Sequence, residues 1–152
     1  MSFDEDGYFV RPNSNNPMQK TTTFLMFIGD NFGKAEEAMK FYISLFPNSE
    51  IKKIDYFKEG EPQGKAGTVK HAIFTIANQE YLAIDSMRHD FNFTPATSVF
   101  VTCENEEEQD NLYSKFMDGG KALMPLDSYG FSKKFAWVTD KYGFSWQLNV
   151  PM

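Results

Sequence analysis

Apolar and polar positions follow two different spacings along this chain, and the switches between them mark out its elements. Near the end, Asp140-Lys141-Tyr142-Gly143 reads as a tight turn feeding a strand in which Phe144, Trp146 and Leu148 alternate with Ser145, Gln147 and Asn149. Strict alternation puts the first set on one face and the second on the other. Similar runs predict strands in TTTFLMFI (21–28), EIKKIDYF (50–57), TVKHAIFTI (68–76), EYLAIDS (80–86), SVFVTCE (98–104) and KKFAWVTD (133–140), and KALMPLDSYG (121–130) holds a short strand or loop. Two stretches take the helical spacing instead. In 33–46 the expected buried stripe is Ala38, Phe41, Tyr42 and Leu45, with Glu36 and Glu37 in the first turn and Pro47 stopping it. In 105–120 the stripe is Leu112 and Phe116 with Tyr113 and Met117 beside it, and Gly119-Gly120 ends the helix.

The order strand, helix, strand, strand, strand therefore occurs twice, and a unit used twice is the most informative feature of the sequence. The segment 87–96, MRHDFNFTPA, has no period and reads as a link. The expected organisation is a flexible arm at 1–19 and one domain at 20–152, built of module one (20–86), the linker (87–96) and module two (97–152). If Leu82 and Ile84 lie under a helix as Phe144 and Trp146 do, Ala83 and Asp85 share the opposite face with Ser145 and Gln147.

Composition narrows the function. Among 152 residues the aromatic share is 16%, enough for a packed core, and the net charge is −6. Nucleic acid and anionic membrane surfaces call for clustered positive charge, so neither is an expected partner; Lys52-Lys53 and Lys133-Lys134 are the only basic pairs. A single cysteine, Cys103, excludes an internal disulfide and fits a reducing cytoplasm; in its apolar run it reads as a buried, inert thiol. No run is long and apolar enough for a membrane span. The acidic stretch from Glu104 to Asp110 starts a helix, where carboxylates complement the dipole. No strand leads into Asp118-Gly119-Gly120 and no Lys-Ser/Thr follows, so it is a helix stop and not a phosphate loop.

The stretches FLMFIG, AEEAMKFYISLFPNSEI, VKHAIFTI, LAIDS, SVFVTCENEEEQDNLYSKFMDGG and WVTDKYGFSWQLNVP, in this order, resemble the PhnB-like proteins of the vicinal oxygen chelate superfamily, the group labelled 3-demethylubiquinone methyltransferase-like. The resemblance implies an α+β fold of two tandem βαβββ modules forming a curved mixed sheet around a pocket, in a homodimer. It places Gln147 where metal-using relatives carry a terminal Glu and makes Asp85 its counterpart in module one. The first strands of the modules offer no His, Gln or carboxylate, with Ser98 the nearest polar group, so the expected ligand set for a divalent ion is incomplete and no metal site is assigned. His71 is one further candidate donor, or an acid or base near neutral pH, or simply a satisfied imidazole.

The expected ligand-binding pocket is Tyr56, His71, Asp85, Ser98, Trp137 and Gln147, for an unidentified small organic molecule, without cofactor. Asp85 and Gln147 orient a polar ligand there or make a structural hydrogen bond. Two alternatives stay open: a divalent-metal lyase, isomerase or dioxygenase using His71, Asp85 and Gln147, and an interaction module whose cavity is filled by Phe24, Phe135 and Trp137. A methyltransferase needs a nucleotide-type cofactor fold that the sequence gives no motif for.

Overall fold

The computed structural model describes residues 19–152 and, before them, only the backbones of two short strands, β1 (Ser2–Phe3) and β2 (Phe9–Val10), which pair antiparallel. The expected loose arm otherwise lies outside the described residues. The chain forms two compact units, 1–91 and 92–152, dividing inside the aperiodic stretch 87–96.

In the first unit, β3 (Thr23–Phe27), α1 (Ala35–Leu45), β4 (Glu50–Tyr56), β5 (Val69–Ile76) and β6 (Gln79–Asp85) make a sheet of order β3-β6-β5-β4. In the second, β7 (Ser98–Thr102), α2 (Glu106–Met117), β8 (Lys121–Asp127), β9 (Lys134–Thr139) and β10 (Ser145–Val150) make a sheet of order β7-β10-β9-β8. In both, the first strand lies parallel to the last and the other pairs are antiparallel. The repeat seen in the sequence is a repeat of topology.

Each helix covers one face of its sheet. On α1 the buried residues are Ala35, Ala38, Met39 and Tyr42, so the stripe begins a turn earlier than expected, and Phe41 and Leu45 are only half-buried. Alanines at 35 and 38 let the helix backbone approach the strands. On α2, Leu112 and Phe116 are buried as expected, and Phe116 stacks on Trp146 with ring centroids 4.5 Å apart. Asn105 caps α2, its side chain accepting from the Glu108 N–H, with Glu106, Glu107 and Glu108 in the first turn.

Gln109 completes the α2 stripe, which hydrophobic periodicity alone missed. Fully buried, it donates through Nε2 to the carbonyls of Lys134 and Leu148. It thereby ties the helix to β9 and β10, while its Oε1 has no partner among the described residues.

The hairpin turns differ between the units. Between β5 and β6, Ala77 and Asn78 take φ of 48° and 67°, the two-residue arrangement whose twist suits a hairpin. Between β9 and β10 the turn is longer. The buried Asp140 carboxylate accepts from the N–H groups of Tyr142 and Phe144 at 2.9 and 3.1 Å and from Trp146 Nε1 at 2.9 Å.

Candidate functional site

Strand register decides which side chains face away from the helices. In the second unit Ser145 lies beside Ser98 and Thr139, and Gln147 beside Phe100 and Trp137. Asn149 lies beside Thr102 and Phe135. Residues opposed in register share a face, and Trp146, under Phe116, marks the other one. The polar side of β10 is thus the helix-free side, as the alternation in the sequence predicts.

A hollow of about 470 Å³ opens on this face. A row of neighbours crosses its floor: Phe100 on β7, Gln147 on β10, Trp137 on β9 and Met124 on β8. Asn149 and Phe135 line it from the next row, and Phe131 and Ser132 from the loop before β9. Among the described residues none hydrogen-bonds the Gln147 amide, so its oxygen can accept and its nitrogen can donate. Asn149 is half committed, because the Ser132 hydroxyl donates to its Oδ1.

The Trp137 ring is held from behind. Its Nε1 donates to Ser145 Oγ at 2.8 Å, and Ser145 Oγ in turn lies 2.6 Å from Ser98 Oγ. Ser98, an expected pocket residue, acts here through Ser145 on Trp137. Phe131 packs edge-on against Phe135 at 5.0 Å, and Tyr129 packs on both. Phe131 and Phe100 nevertheless remain 61% and 56% exposed.

The first unit differs in the same comparison. Asp85 lies beneath α1: its Oδ1 accepts from the N–H groups of Gly33 and Ala35 at 2.9 and 3.1 Å, and its Oδ2 from Val69 at 2.8 Å. The expected face assignment is therefore reversed. Ala83 and Asp85 face the helix, and Leu82 and Ile84 stand on the helix-free face with Phe24, Met26 and Ile73. A shift of one residue exchanges the two faces of a strand, and the unequal hairpin turns conceal that shift in a sequence overlay. Burial raises the Asp85 carboxyl above its ordinary value, outweighing the lowering by its backbone N–H partners.

Of the other expected residues, Tyr56 donates its hydroxyl to the Glu36 carboxylate on α1 at 2.7 and 2.9 Å. That hydrogen bond, with some burial, raises the phenol's pKa. His71 is half-buried opposite Asp55 in register. Desolvation first, and the Lys70 charge second, lower its pKa, so the imidazole is neutral near pH 7. Of the expected set the structure brings Ser98, Trp137 and Gln147 together in the second unit. Tyr56 and Asp85 are engaged with α1 and the loop before it.

Ser145 and Asn149 belong to the polar face that the alternation predicts but not to the expected pocket set, which also lacks Phe100, Met124 and Phe131. Phe100 is legible once β7 is paired in parallel with β10; Phe131 lies in a loop, where no periodicity exists to find it.

A divalent ion, as metal-using relatives of the resemblance hold, needs several anionic or imidazole donors in one place. Both oxygens of Asp85 are engaged by backbone N–H groups of Gly33, Ala35 and Val69, while Ser98 and Gln147 are neutral. No three His, Cys, Asp or Glu side chains gather as a metal site would require among the described residues. The donor set does not fit such an ion. Cys103 is 1% exposed, and burial, with the nearby Glu108 charge, pushes its thiol up to about 11, which leaves it protonated and unreactive at neutral pH.

Two βαβββ units of identical strand order, each with its first strand parallel to its last, define the vicinal oxygen chelate, or glyoxalase/bleomycin-resistance, class of proteins. Within that class, residues 19–149 match the model of the family described as 3-demethylubiquinone-9 3-methyltransferase, and the chain belongs to this PhnB-like family. A PhnB protein from Bacillus cereus is 58% identical over 87% of this chain and 99% of its own, with a TM-score of 0.81. At the level of fold alone, a protein from Pseudomonas aeruginosa is similar at 19% identity and a TM-score of 0.71, covering 87% of this chain and 98% of its own. The fosfomycin resistance protein FosX from Listeria monocytogenes is similar at 14% and 0.57, covering 87% and 92%. No curated protein matches.

Proposed function

We propose that this chain binds a small organic molecule in the hollow of its second unit, without a divalent ion. The observation that carries the reading is the row Phe100, Gln147, Trp137 and Met124, an amide without a partner among the described residues, set between aromatic and thioether walls on the floor of a concave surface. Small-molecule sites are typically of this kind: about 300–1,000 Å³, mostly apolar, with few polar groups. The methyl transfer in the family's name is not part of the proposal, because no Gly-rich loop follows a strand to hold a nucleotide-type methyl donor. The resemblance supports a homodimer, which sedimentation equilibrium reads. The lone buried thiol supports a reducing, cytoplasmic setting, and no described helix is long and apolar enough to cross a membrane.

The test is Gln147→Leu. A residue that awaits a ligand leaves stability unchanged or raised when made apolar, and its loss weakens binding by about tenfold, the effect of one hydrogen bond. Small organic molecules that quench Trp137 fluorescence, scored against Trp137→Phe, provide the binding readout. A large fall in the melting temperature of Gln147→Leu makes Gln147 a structural residue and removes the reading's main support.

A further inference from the structure

The hollow also restricts what can occupy it. Resting on the binding role above, we propose that the occupant is an uncharged, planar aromatic molecule with a hydrogen-bond donor and acceptor side by side on one edge, as in a lactam or an aromatic carboxamide.

Charge comes first. Among the described residues no Asp, Glu, Lys, Arg or His lines the hollow, so an ionised ligand group would lose its hydration and find no counter-charge there. The nearest register neighbour with a charge is Asp127, exposed beside Phe135 on edge strand β8. With a chain net charge of −6, this repels anions.

Shape comes next. Trp137 and Phe100 flank Gln147 on the floor of the hollow, and the Ser145–Ser98 pair fixes the indole before anything binds. A planar ring can lie against faces already in place, so little side-chain freedom is lost on binding. Phe131, 61% exposed at the rim, supplies a further ring. Aromatic groups favour offset or edge-to-face contacts with one another.

Polarity fixes the edge. Gln147 offers one acceptor and one donor on the same planar amide, and a molecule presenting the complementary pair closes both bonds at once. Asn149, with one lone pair of its Oδ1 taken by Ser132, adds two amide donors. An acceptor further along the ligand suits it.

The experiment uses three probes of similar size with the full-length protein at pH 7: quinolin-2-one, with donor and acceptor adjacent; quinoline, with an acceptor only; and quinoline-2-carboxylate, an anion. Amide NMR shifts at residues 100, 137 and 147 locate binding. Quinolin-2-one is expected to saturate these signals, with quinoline about tenfold weaker for the missing hydrogen bond and the carboxylate weaker still. Gln147→Leu is expected to weaken both ligands, quinolin-2-one by one hydrogen bond more than quinoline, so that the preference between them disappears. Gln147→Met serves equally if Leu disturbs the strand. Tighter binding of the carboxylate, or a preference that survives loss of the amide, overturns the ligand class and leaves the binding role standing. No shift at these residues with any probe overturns both.

Discussion

Asp85 shows how much a single side chain can be mistaken for by its position. On paper it is an acidic residue at the end of a strand in a repeated hairpin. In the structure its two oxygens hold the loop before α1, the first turn of α1 and the start of β5 together. Asp85→Ala leaves two buried N–H groups, those of Ala35 and Val69, and the part-buried one of Gly33 without acceptors, at about 1–3 kcal/mol for each buried one when nothing replaces the bond. We expect a loss of about 3 kcal/mol or more in urea unfolding, with any binding to the second unit's hollow unchanged in the folded fraction. His71 gives the pH dependence. Its pKa is lower in the folded chain than the ordinary 6.5. The unfolded state therefore takes up a proton first as pH falls, and the stability His71 contributes above pH 6.5 is lost as pH drops through the folded value. Urea midpoints measured between pH 7.5 and 5 should fall, and His71→Gln should flatten that part of the curve.

Elements were more legible than their contents. The strands β3 to β7, β9 and β10 and both helices lie where the periodicity puts them, because alternation and helical spacing are imposed by the backbone itself, while β8 falls in a stretch that reads as a short strand or loop and β1 and β2 in the expected arm. What periodicity could not supply was the identity of each face where polar residues are buried or apolar ones exposed. Gln109 is buried under α2 because β9 and β10 offer it carbonyls, and Leu82 and Ile84 stand on the helix-free face although they are aliphatic. The end of α2 is a further case of close fit. A side chain at Gly120 would meet the Phe116 carbonyl oxygen at 2.2 Å and the Thr139 carbonyl oxygen at 2.3 Å, both backbone atoms that cannot step aside. Gly120→Ala must push the helix end away from β9, and overpacking of this kind costs about 1–3 kcal/mol. A fall in melting temperature checks it. Gly130→Ala, with open space around the same added carbon but φ of 89°, provides a comparison in which backbone conformation alone contributes.

For the molecule as a whole, the duplicated order of elements was readable because each half had to solve the same problem, a helix crossing from the first strand to a hairpin. The candidate site was readable in part. Trp137 and Gln147 follow from the alternation of β9 and β10, whereas Phe131 comes from a loop and Asp85 was assigned to the wrong side of its sheet. The two halves have also diverged in chemistry: the helix-free row of the first unit runs Phe24, Leu82, Ile73 and Lys53, that of the second Phe100, Gln147, Trp137 and Met124. Neither contains a cluster of anionic donors. Millimolar Mg²⁺, Mn²⁺, Ni²⁺ or Zn²⁺ should therefore leave the melting temperature where chelator leaves it, since a ligand that binds only the native state must raise it. A shift that rises with metal concentration and vanishes in Gln147→Leu or His71→Gln would favour the metal-dependent alternative.

The parallel pairing of first strand with last sets the order in which each unit can be assembled. Thr23 must wait for Tyr81, and Ser98 for Ser145, before either outer strand has a neighbour. Closing so long a stretch of chain before any reward is collected slows folding. Until β10 slots in, β7 offers Val99, Phe100 and Val101 with bare hydrogen-bonding edges on both sides. A nascent or heat-stressed chain is then most vulnerable to sticking to its neighbours through that five-residue segment, and a charged residue at the outward-facing Thr102 is the place to guard it.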